Sequence, residues 1–203
     1  MKQSHPLFLA IQIFCLTVLL PVCSYAAPAS QQAQIPAIFI QKGHSNLLKS
    51  LALSPDGKYV VSSSGDKTIK LLNVALRKEV RTIRVDSDVA SIAFSPDGNY
   101  VVTGDAGRNI LVWDFKTWSV AKRLSHSGQG NSITEVVFLP DGKHVLSSEY
   151  GDFLYCWDVQ EGTLQWKLKV QRPTTAINVG VHIAVSTNGE KVAVGSHFEQ
   201  TPG

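Results

Sequence analysis

The sequence predicts an all-β fold built from repeated four-stranded units, and two features that recur at one spacing indicate it. The first is a turn sequence, found at Ser54-Pro55-Asp56-Gly57, Ser95-Pro96-Asp97-Gly98, Leu139-Pro140-Asp141-Gly142 and, more weakly, Ser186-Thr187-Asn188-Gly189. The second is a strand ending, found at Leu72-Asn73, Trp113-Asp114 and Trp157-Asp158. The turns are offset by 41, 44 and 47 residues, and the strand endings by 41 and 44. Because two independent markers share one period, the chain contains an internal repeat.

Each repeat is predicted to hold four short strands. In the first repeat, strand-like segments at 50–53 and 59–63 flank the turn, and two more follow at 69–73 and 79–83. Proline at the second turn position fixes its own φ, and glycine at the fourth tolerates a positive φ, so the motif suits a tight turn between strands. The aspartates of the turns are therefore interpreted as turn-forming residues and not as catalytic ones.

The period of about 40 to 45 residues, the Trp-Asp endings and Gly43-His44 ahead of the first repeat resemble the WD40 repeat. The resemblance covers nearly all of residues 42–195. It implies a β-propeller, in which each four-stranded antiparallel sheet is a blade and the blades pack face to face around a channel. Residues 37–203 are thus expected to form a WD40-like propeller with three complete blades and a partial fourth.

The resemblance also implies a set of structural residues. Many family members hold each blade with a bonded set of His, Ser or Thr, Asp and Trp, and no repeat of this chain carries the whole set. The matching positions are His44, Ser62 or Ser63, Asp66 and Leu72 in the first repeat, Val85, Trp113 and Asp114 in the second, and a displaced His126, Gly151, Trp157 and Asp158 in the third. We therefore expect apolar packing to stabilise the blades more than polar networks do.

Counting strands predicts an incomplete ring. One strand is predicted at 36–41, twelve in the three repeats and two at 181–185 and 191–195, for a total of 15. An arc of blades exposes apolar faces and a strand edge. Three explanations stay open: a fragment of a longer protein, self-association of two or more chains that completes the propeller, and a strained four-bladed closure.

Residues 1–26 are predicted to be a secretory signal peptide. An apolar segment at 7–20 follows Lys2, and Ser24 with Ala26 gives small residues at the spacing of a cleavage site. The apolar segment is shorter than the roughly 20 residues of a membrane-spanning helix. The mature chain is expected to be exported, periplasmic or secreted, without a stable membrane span.

Two alternatives for the N-terminus stay open. The first is an uncleaved anchor, and the second is a lipoprotein signal with Cys23 as the modified residue. Residues 27–36, rich in Ala, Gln and Pro, are interpreted as a spacer. Cleavage would leave Cys156 as the one cysteine of the mature chain, and its place between Tyr155 and Trp157 in a strand-like segment predicts that it is buried.

Composition and motifs argue against several classes of function. With 19 Lys and Arg against 16 Asp and Glu, the net charge of +3 is too small for a basic nucleic-acid surface. The sequence lacks phosphate-binding loops, nucleophile elbows and metal-ligand spacings. We therefore expect no enzyme activity, no cofactor, no metal and no nucleic-acid partner.

The expected function is binding of a protein or peptide by the loops at one end of the propeller, because rigid sheets present variable loops. Arg108 and Tyr150 are the main candidates, since arginine and aromatic side chains are favoured interface anchors. The other candidates are the loop acids Asp105, Glu149 and Asp152. The alternative is that the propeller is the recognition part of a larger, truncated enzyme, such as a hydrolase or a caspase-like protein.

Overall fold

A computed structural model describes residues 43–125, 131–151, 153–170 and 180–197, which all belong to the compact unit Phe39–Gly203. These residues form three four-stranded antiparallel sheets and one two-stranded sheet. The prediction of an all-β fold with three complete blades and a partial fourth is confirmed. The predicted signal peptide at 1–26, the spacer at 27–36 and the strand at 36–41 lie outside the described residues.

Within each sheet the strands follow one another in chain order. The first sheet contains β1 (Leu48–Leu53), β2 (Tyr59–Ser64), β3 (Thr68–Asn73) and β4 (Lys78–Arg84). The second contains β5 (Val89–Phe94), β6 (Tyr100–Asp105), β7 (Ile110–Asp114) and β8 (Val120–Leu124). The third contains β9 (Ile133–Phe138), β10 (His144–Glu149), β11 (Phe153–Asp158) and β12 (Thr163–Lys169), and the two-stranded sheet contains β13 (Gly180–Val185) and β14 (Val192–His197).

The repeated turn has the same backbone hydrogen bonds in all four copies. In the first copy the Gly57 N–H donates to the Ser54 carbonyl at 2.8 Å, and the Asp56 carboxylate accepts the Lys58 N–H at 3.0 Å. The four turn glycines have φ between 67° and 74°, where an L side chain is strained. Hydrogen bonds from Ser54 and the Lys58 backbone lower the pKa of Asp56 to about 2. The interpretation of these aspartates as turn-forming residues is confirmed.

The second and third sheets each pack against a neighbouring sheet on both faces, as their apolar strands predict. In β6, Val101 faces the first sheet and Val102 faces the third, and neither side chain is exposed to solvent. In β10, Val145 contacts the second sheet and Leu146 contacts the two-stranded sheet. Successive side chains of a strand point to opposite faces, so each middle strand contributes to two separate cores.

Two apolar surfaces at the ends of the stack are exposed. On β1, Leu51 is 55% exposed and Leu53 59%, on the face of the first sheet that points away from the second. On β12, Trp166 is 44% exposed and Leu168 54%. Trp166 and Leu168 pair across the strands with Cys156 and Leu154 of β11, which are buried against the two-stranded sheet. Among the described residues, the two-stranded sheet has no strand that would cover β12 in the same way. We call these surfaces the β1 face and the β12 face.

Candidate binding surface

The loops before each first strand and between the second and third strands meet at one end of the stack, which we call the loop end. One backbone hydrogen bond joins the two loops within each sheet. These bonds are Gly65 N–H to Leu47 carbonyl at 3.0 Å, Ala106 N–H to Asp88 carbonyl at 2.9 Å and Tyr150 N–H to Ser132 carbonyl at 2.9 Å. The six residues occupy equivalent repeat positions, so the fold fixes all three loop pairs in one way.

Arg108 lies exposed at the tip of the loop between β6 and β7. Its φ is 71°, in the left-handed region that few non-glycine residues adopt, and its N–H donates to the Asp105 carbonyl at 3.2 Å. Lys67, at the equivalent position one repeat earlier, has a φ of 60° and is also exposed. The loop end therefore presents two cationic side chains, each at the same position of an equivalent tight turn. Lys67 was not among the residues predicted to bind a partner, although its 41-residue offset from Arg108 identifies the position.

Tyr150 is 48% exposed on the next loop around the stack. Its backbone is tied to Ser132, and the Ser132 hydroxyl donates to the Ala106 carbonyl at 3.0 Å. Ala106 lies in the loop of Arg108, so these bonds join the two loops that carry the main candidates. Asp152, the third residue predicted in the Tyr150 loop segment, lies outside the described residues.

Asp105 and Glu149 face the chain and not the surface. Asp105 is 6% exposed, and its carboxylate accepts the backbone N–H and the side-chain amide of Asn109, both at 2.8 Å. Glu149 is 4% exposed and accepts the Tyr155 hydroxyl at 2.5 Å and the Asn131 N–H at 3.1 Å. Burial and the bond to Glu149 raise the pKa of Tyr155. Both acids hold loop geometry, so they do not offer the free carboxylates expected of binding residues.

His44 and Asp66 form a hydrogen-bonded cluster beside the loop end. The imidazole Nε2 lies 2.9 Å from the Ser62 hydroxyl and Nδ1 lies 3.0 Å from an Asp66 carboxylate oxygen. Asp66 also accepts the Thr68 hydroxyl at 2.6 Å and the Ser45 N–H at 2.9 Å. Burial raises the pKa of Asp66, but the hydrogen bonds from Thr68, Ser45 and His44 outweigh it and hold this pKa well below its usual range.

The second and third sheets keep the tryptophan part of the set. Trp113 Nε1 donates to the Thr103 hydroxyl at 2.9 Å, and Trp157 Nε1 donates to the Ser147 hydroxyl at 2.8 Å. Both indoles are buried against the preceding sheet. Val85, at the repeat position of His44, lines a cavity of about 150 Å³. The first sheet thus carries the His-Ser-Asp part of the polar set, and the second and third sheets carry the tryptophan part.

Asp114 and Asp158 stabilise the turns after their strands. Asp114 accepts the Thr117 N–H at 2.8 Å and the Thr117 hydroxyl at 2.9 Å, and these bonds lower its pKa. Asp158 accepts the Glu161 N–H at 2.8 Å. Both carboxylates therefore have partners within the chain.

Two classes of feature are absent from the part of the chain that the structure describes. Within residues 43–125, 131–151, 153–170 and 180–197, no three His, Cys, Asp or Glu side chains gather closely enough to hold a metal ion. The same residues include no helix with the length and hydropathy to cross a membrane.

Cys156 is 3% exposed, as predicted, and burial raises the pKa of its thiol to about 11.

The family "WD domain, G-beta repeat" (WD40) matches residues 36–73, 77–114 and 119–158, which together are more than half of the chain. The chain belongs to the WD40 repeat family. The three matched segments end with β3, β7 and β11, at the strand endings that define the repeat. The chain is a WD40-repeat scaffold, and WD40 repeats in general mediate protein interactions.

The chain is also similar to individual WD40 proteins. The ribosome biogenesis protein BOP1 homologs of Drosophila erecta and Drosophila melanogaster are 40% identical to it over 50 residues, which are 25% of this chain and 6% of each relative. The crystal structure of the RRP9 WD40 repeats aligns with a TM-score of 0.61 and 21% identity, over 68% of this chain and 42% of that one. The chain therefore matches only a small part of these curated relatives, and the structural likeness concerns the fold.

Proposed function

We propose that this WD40 protein is a non-enzymatic scaffold that binds a protein or peptide at the loop end, through Arg108, Tyr150 and Lys67. One observation carries the proposal: the Ser132 bonds join the Tyr150 loop to the Arg108 loop, so an exposed aromatic ring and an exposed guanidinium belong to one connected surface. Preorganised loops lose little entropy on binding, and both side-chain types are common interface anchors. No nucleic-acid partner is proposed.

The partner is proposed only as a class. The 50 residues shared with the BOP1 homologs are about one repeat, and a single repeat specifies a blade and not the loops of a whole propeller. Ribosome biogenesis is the role of those relatives, and a match of one repeat does not carry that role to this chain. The binding surface, and not a named partner, is therefore what an experiment can test.

The experiment places a photo-crosslinking amino acid at position 150 and, as a matched control, at Tyr100 near the opposite end of the stack. We expect a protein crosslinked from position 150 that position 100 does not capture. With that partner purified, Arg108→Ala and Tyr150→Ala should each weaken binding about tenfold, as hot-spot truncations do. Asn99→Ala, in an exposed turn at the opposite end, should leave the affinity unchanged. Equal affinities for all three variants would place the interface elsewhere.

We also propose that the β1 face and the β12 face are covered by further propeller surface, in a longer chain or by self-association. The exposure of large apolar side chains on both faces supports this, because contiguous exposed apolar surface marks contact sites. These side chains are Leu51, Leu53, Trp166 and Leu168. Light scattering of the purified chain tests the self-association. An oligomer that Leu53→Asp and Leu168→Asp dissociate would support it, and a wild-type monomer would exclude it.

We propose further that the chain is exported, periplasmic or secreted, after cleavage behind Ala26. The burial of Cys156 supports this, since the mature chain would then expose no thiol to an oxidising compartment. Expression in a secreting host followed by mass measurement tests it. Loss of residues 1–26 from the exported protein is expected, and a cell-associated product that keeps Met1 would contradict it. The larger-enzyme alternative stays a prediction.

A further inference from the structure

A groove separates the first and second sheets at the end opposite the loop end. It lies between β4, the last strand of the first sheet, and the turn that joins β7 to β8. Its volume is about 590 Å³, which is within the roughly 300–1,000 Å³ of ligand pockets. We call it the aromatic groove, because three of the residues that line it are Tyr59, Phe115 and Trp118.

The floor of the aromatic groove is an ordered cluster of rings. The Phe115 ring packs edge to face against Tyr59 at 5.5 Å between centroids, against Phe94 at 5.1 Å and against Trp118 at 5.5 Å. These are favoured separations and orientations for aromatic pairs. The floor therefore presents aromatic surface to anything that enters the groove.

Trp118 occupies the floor at a conformational cost. Its φ is 59°, in a region that is unfavourable for a bulky side chain, and its N–H donates to the Asp114 carbonyl at 2.7 Å. The equivalent positions of the neighbouring sheets hold Arg77 and Gly162, so the turn itself does not require tryptophan. Backbone strain of this kind is concentrated at functional sites.

The rim of the groove combines exposed apolar side chains with cations. Leu76 is 68% exposed and Val80 is 46% exposed, and Arg81 and Lys116 also line the groove. Of the nearby carboxylates, Glu79 accepts the Lys70 ammonium at 2.7 Å, whereas Asp114 is bonded to the neutral Thr117 and keeps its negative charge near Lys116. Two cations of the rim therefore stand against one carboxylate without a cationic hydrogen-bond partner, which leaves a net positive charge beside an apolar surface.

The equivalent groove between the second and third sheets differs in its chemistry. Its volume is about 370 Å³, and Val159 and Gln160 stand at the positions of Phe115 and Lys116. Thr117 and Ala121 occupy the positions of Leu76 and Val80. Of the aromatic positions that line the first groove, the second groove keeps only Tyr100, at the position of Tyr59, and no leucine lines it. The ring cluster around Phe115 and the leucine of the rim are thus features of the first groove that the second groove does not share.

We propose that the aromatic groove binds a short acidic segment of a partner protein. An aliphatic or aromatic side chain of the segment packs on the ring floor between Leu76 and Val80, and carboxylates on either side pair with Arg81 and Lys116. The charge of the rim favours an acidic partner, because the planar guanidinium of arginine pairs with a carboxylate through two parallel hydrogen bonds. This site lies at the opposite end from Arg108 and Tyr150, so it is independent of the function proposed above.

The test is a selection from a phage-displayed library of random short peptides, with the purified chain as the target and fluorescence anisotropy of the selected peptides as the measurement. We expect the enriched peptides to carry one large apolar residue flanked by Asp or Glu. Arg81→Glu should weaken their binding by about tenfold or more, because it replaces attraction by repulsion at the rim. Leu76→Ser, at an exposed position, should also weaken it.

Lys122→Glu is the matched control, since Lys122 lies at the position of Arg81 in the second groove. It makes the same change of net charge and should leave the affinity within about twofold, a difference of roughly 0.4 kcal/mol. Equal losses in Arg81→Glu and Lys122→Glu would overturn the proposal, because they would indicate attraction to net charge alone. Enrichment of neutral or basic peptides, or of none, would also overturn it. Loss of binding in Arg108→Ala would place the peptides at the loop end and contradict it.

Discussion

The Glu135 carboxylate accepts the backbone N–H of Ile183 at 2.7 Å and so joins the third sheet to the two-stranded sheet. Ser91 makes the equivalent contact one repeat earlier, where its hydroxyl accepts the Val136 N–H at 3.1 Å. Ser50 accepts the Ile92 N–H at 3.2 Å one repeat before that. One position of each first strand therefore bonds to the first strand of the next sheet, and the longer side chain of Glu135 preserves this contact in the third sheet.

Replacing Glu135 by leucine should loosen the two-stranded sheet. The Ile183 N–H would lose its acceptor, and Ile183 is only 8% exposed. A buried donor left without an acceptor lowers the stability by about 1–3 kcal/mol. Amide hydrogen exchange across β13 should accelerate by about tenfold or more. Glu135→Gln is the control, because its amide oxygen can still accept the bond although the charge facing His182 is lost. Fast exchange in both variants would assign the effect to charge and not to the hydrogen bond.

Substitution of Gly104 should disrupt the contact between the second and third sheets. A Cβ at this position would lie 2.4 Å from Ile133 Cγ2 and 2.9 Å from Val136 Cγ1. Gly104→Ala should therefore lower the free energy of unfolding by about 1–3 kcal/mol, as overpacking does. Urea denaturation measures this loss of stability. Gly195→Ala is the control, because a Cβ added at position 195 would meet no atom within 4 Å. In the Ile133→Ala background the cost of Gly104→Ala should shrink, and simple additivity would argue against the clash.

The buried tryptophan at the strand ending should contribute strongly to stability. Trp157 is not exposed to solvent and donates to Ser147, so Trp157→Ala should destabilise the protein by about 3–5 kcal/mol in urea denaturation. Trp113→Ala should cost a similar amount. Trp166→Ala is the matched control when measured on the monomer, since this indole is 44% exposed in the single chain, and it should cost less than about 1 kcal/mol there. A midpoint for Trp157→Ala near that of Trp166→Ala would contradict the assignment.

Acid should weaken the first sheet through Asp66. Its folded-state pKa is lowered by the hydrogen bonds that it accepts, so the unfolded chain binds a proton more readily and the stabilisation is present above the unfolded pKa of about 4. It is lost as the pH falls below that value toward the folded pKa. Asp66→Asn should therefore be less stable than the wild type at pH 6, and the difference should shrink by pH 3.

Urea midpoints measured from pH 6 to pH 3 test the Asp66 prediction. Asp86→Asn is the control, because Asp86 is exposed and its side chain makes no hydrogen bond or ion pair with the described residues. Its stability should follow the wild-type pH dependence. If the difference between wild type and Asp66→Asn were constant across this range, the ionisation of Asp66 would not be the cause.

The sheets could be predicted from the repeat because each repeat carries its own turn sequence and strand-like segments. The turn that contains Asp56 forms its bonds within a few residues, and the strands on either side need only alternate their side chains between two cores. The candidate loop acids were harder to interpret. Asp105 and Glu149 are polar residues beside exposed loop tips, and nothing local distinguishes a carboxylate that points outward from one that accepts Asn109 or Tyr155.

Repeated antiparallel sheets follow from the amino-acid sequence alone, because periodic turns and strand endings act over short distances along the chain. The side chains that meet between sheets are known only from the folded structure. Glu135 reaches Ile183, Ser132 joins the loops of Arg108 and Tyr150, and Trp118 turns its ring onto Phe115. Those contacts depend on how one sheet is oriented on the next, and that orientation is set by the packing of both faces together.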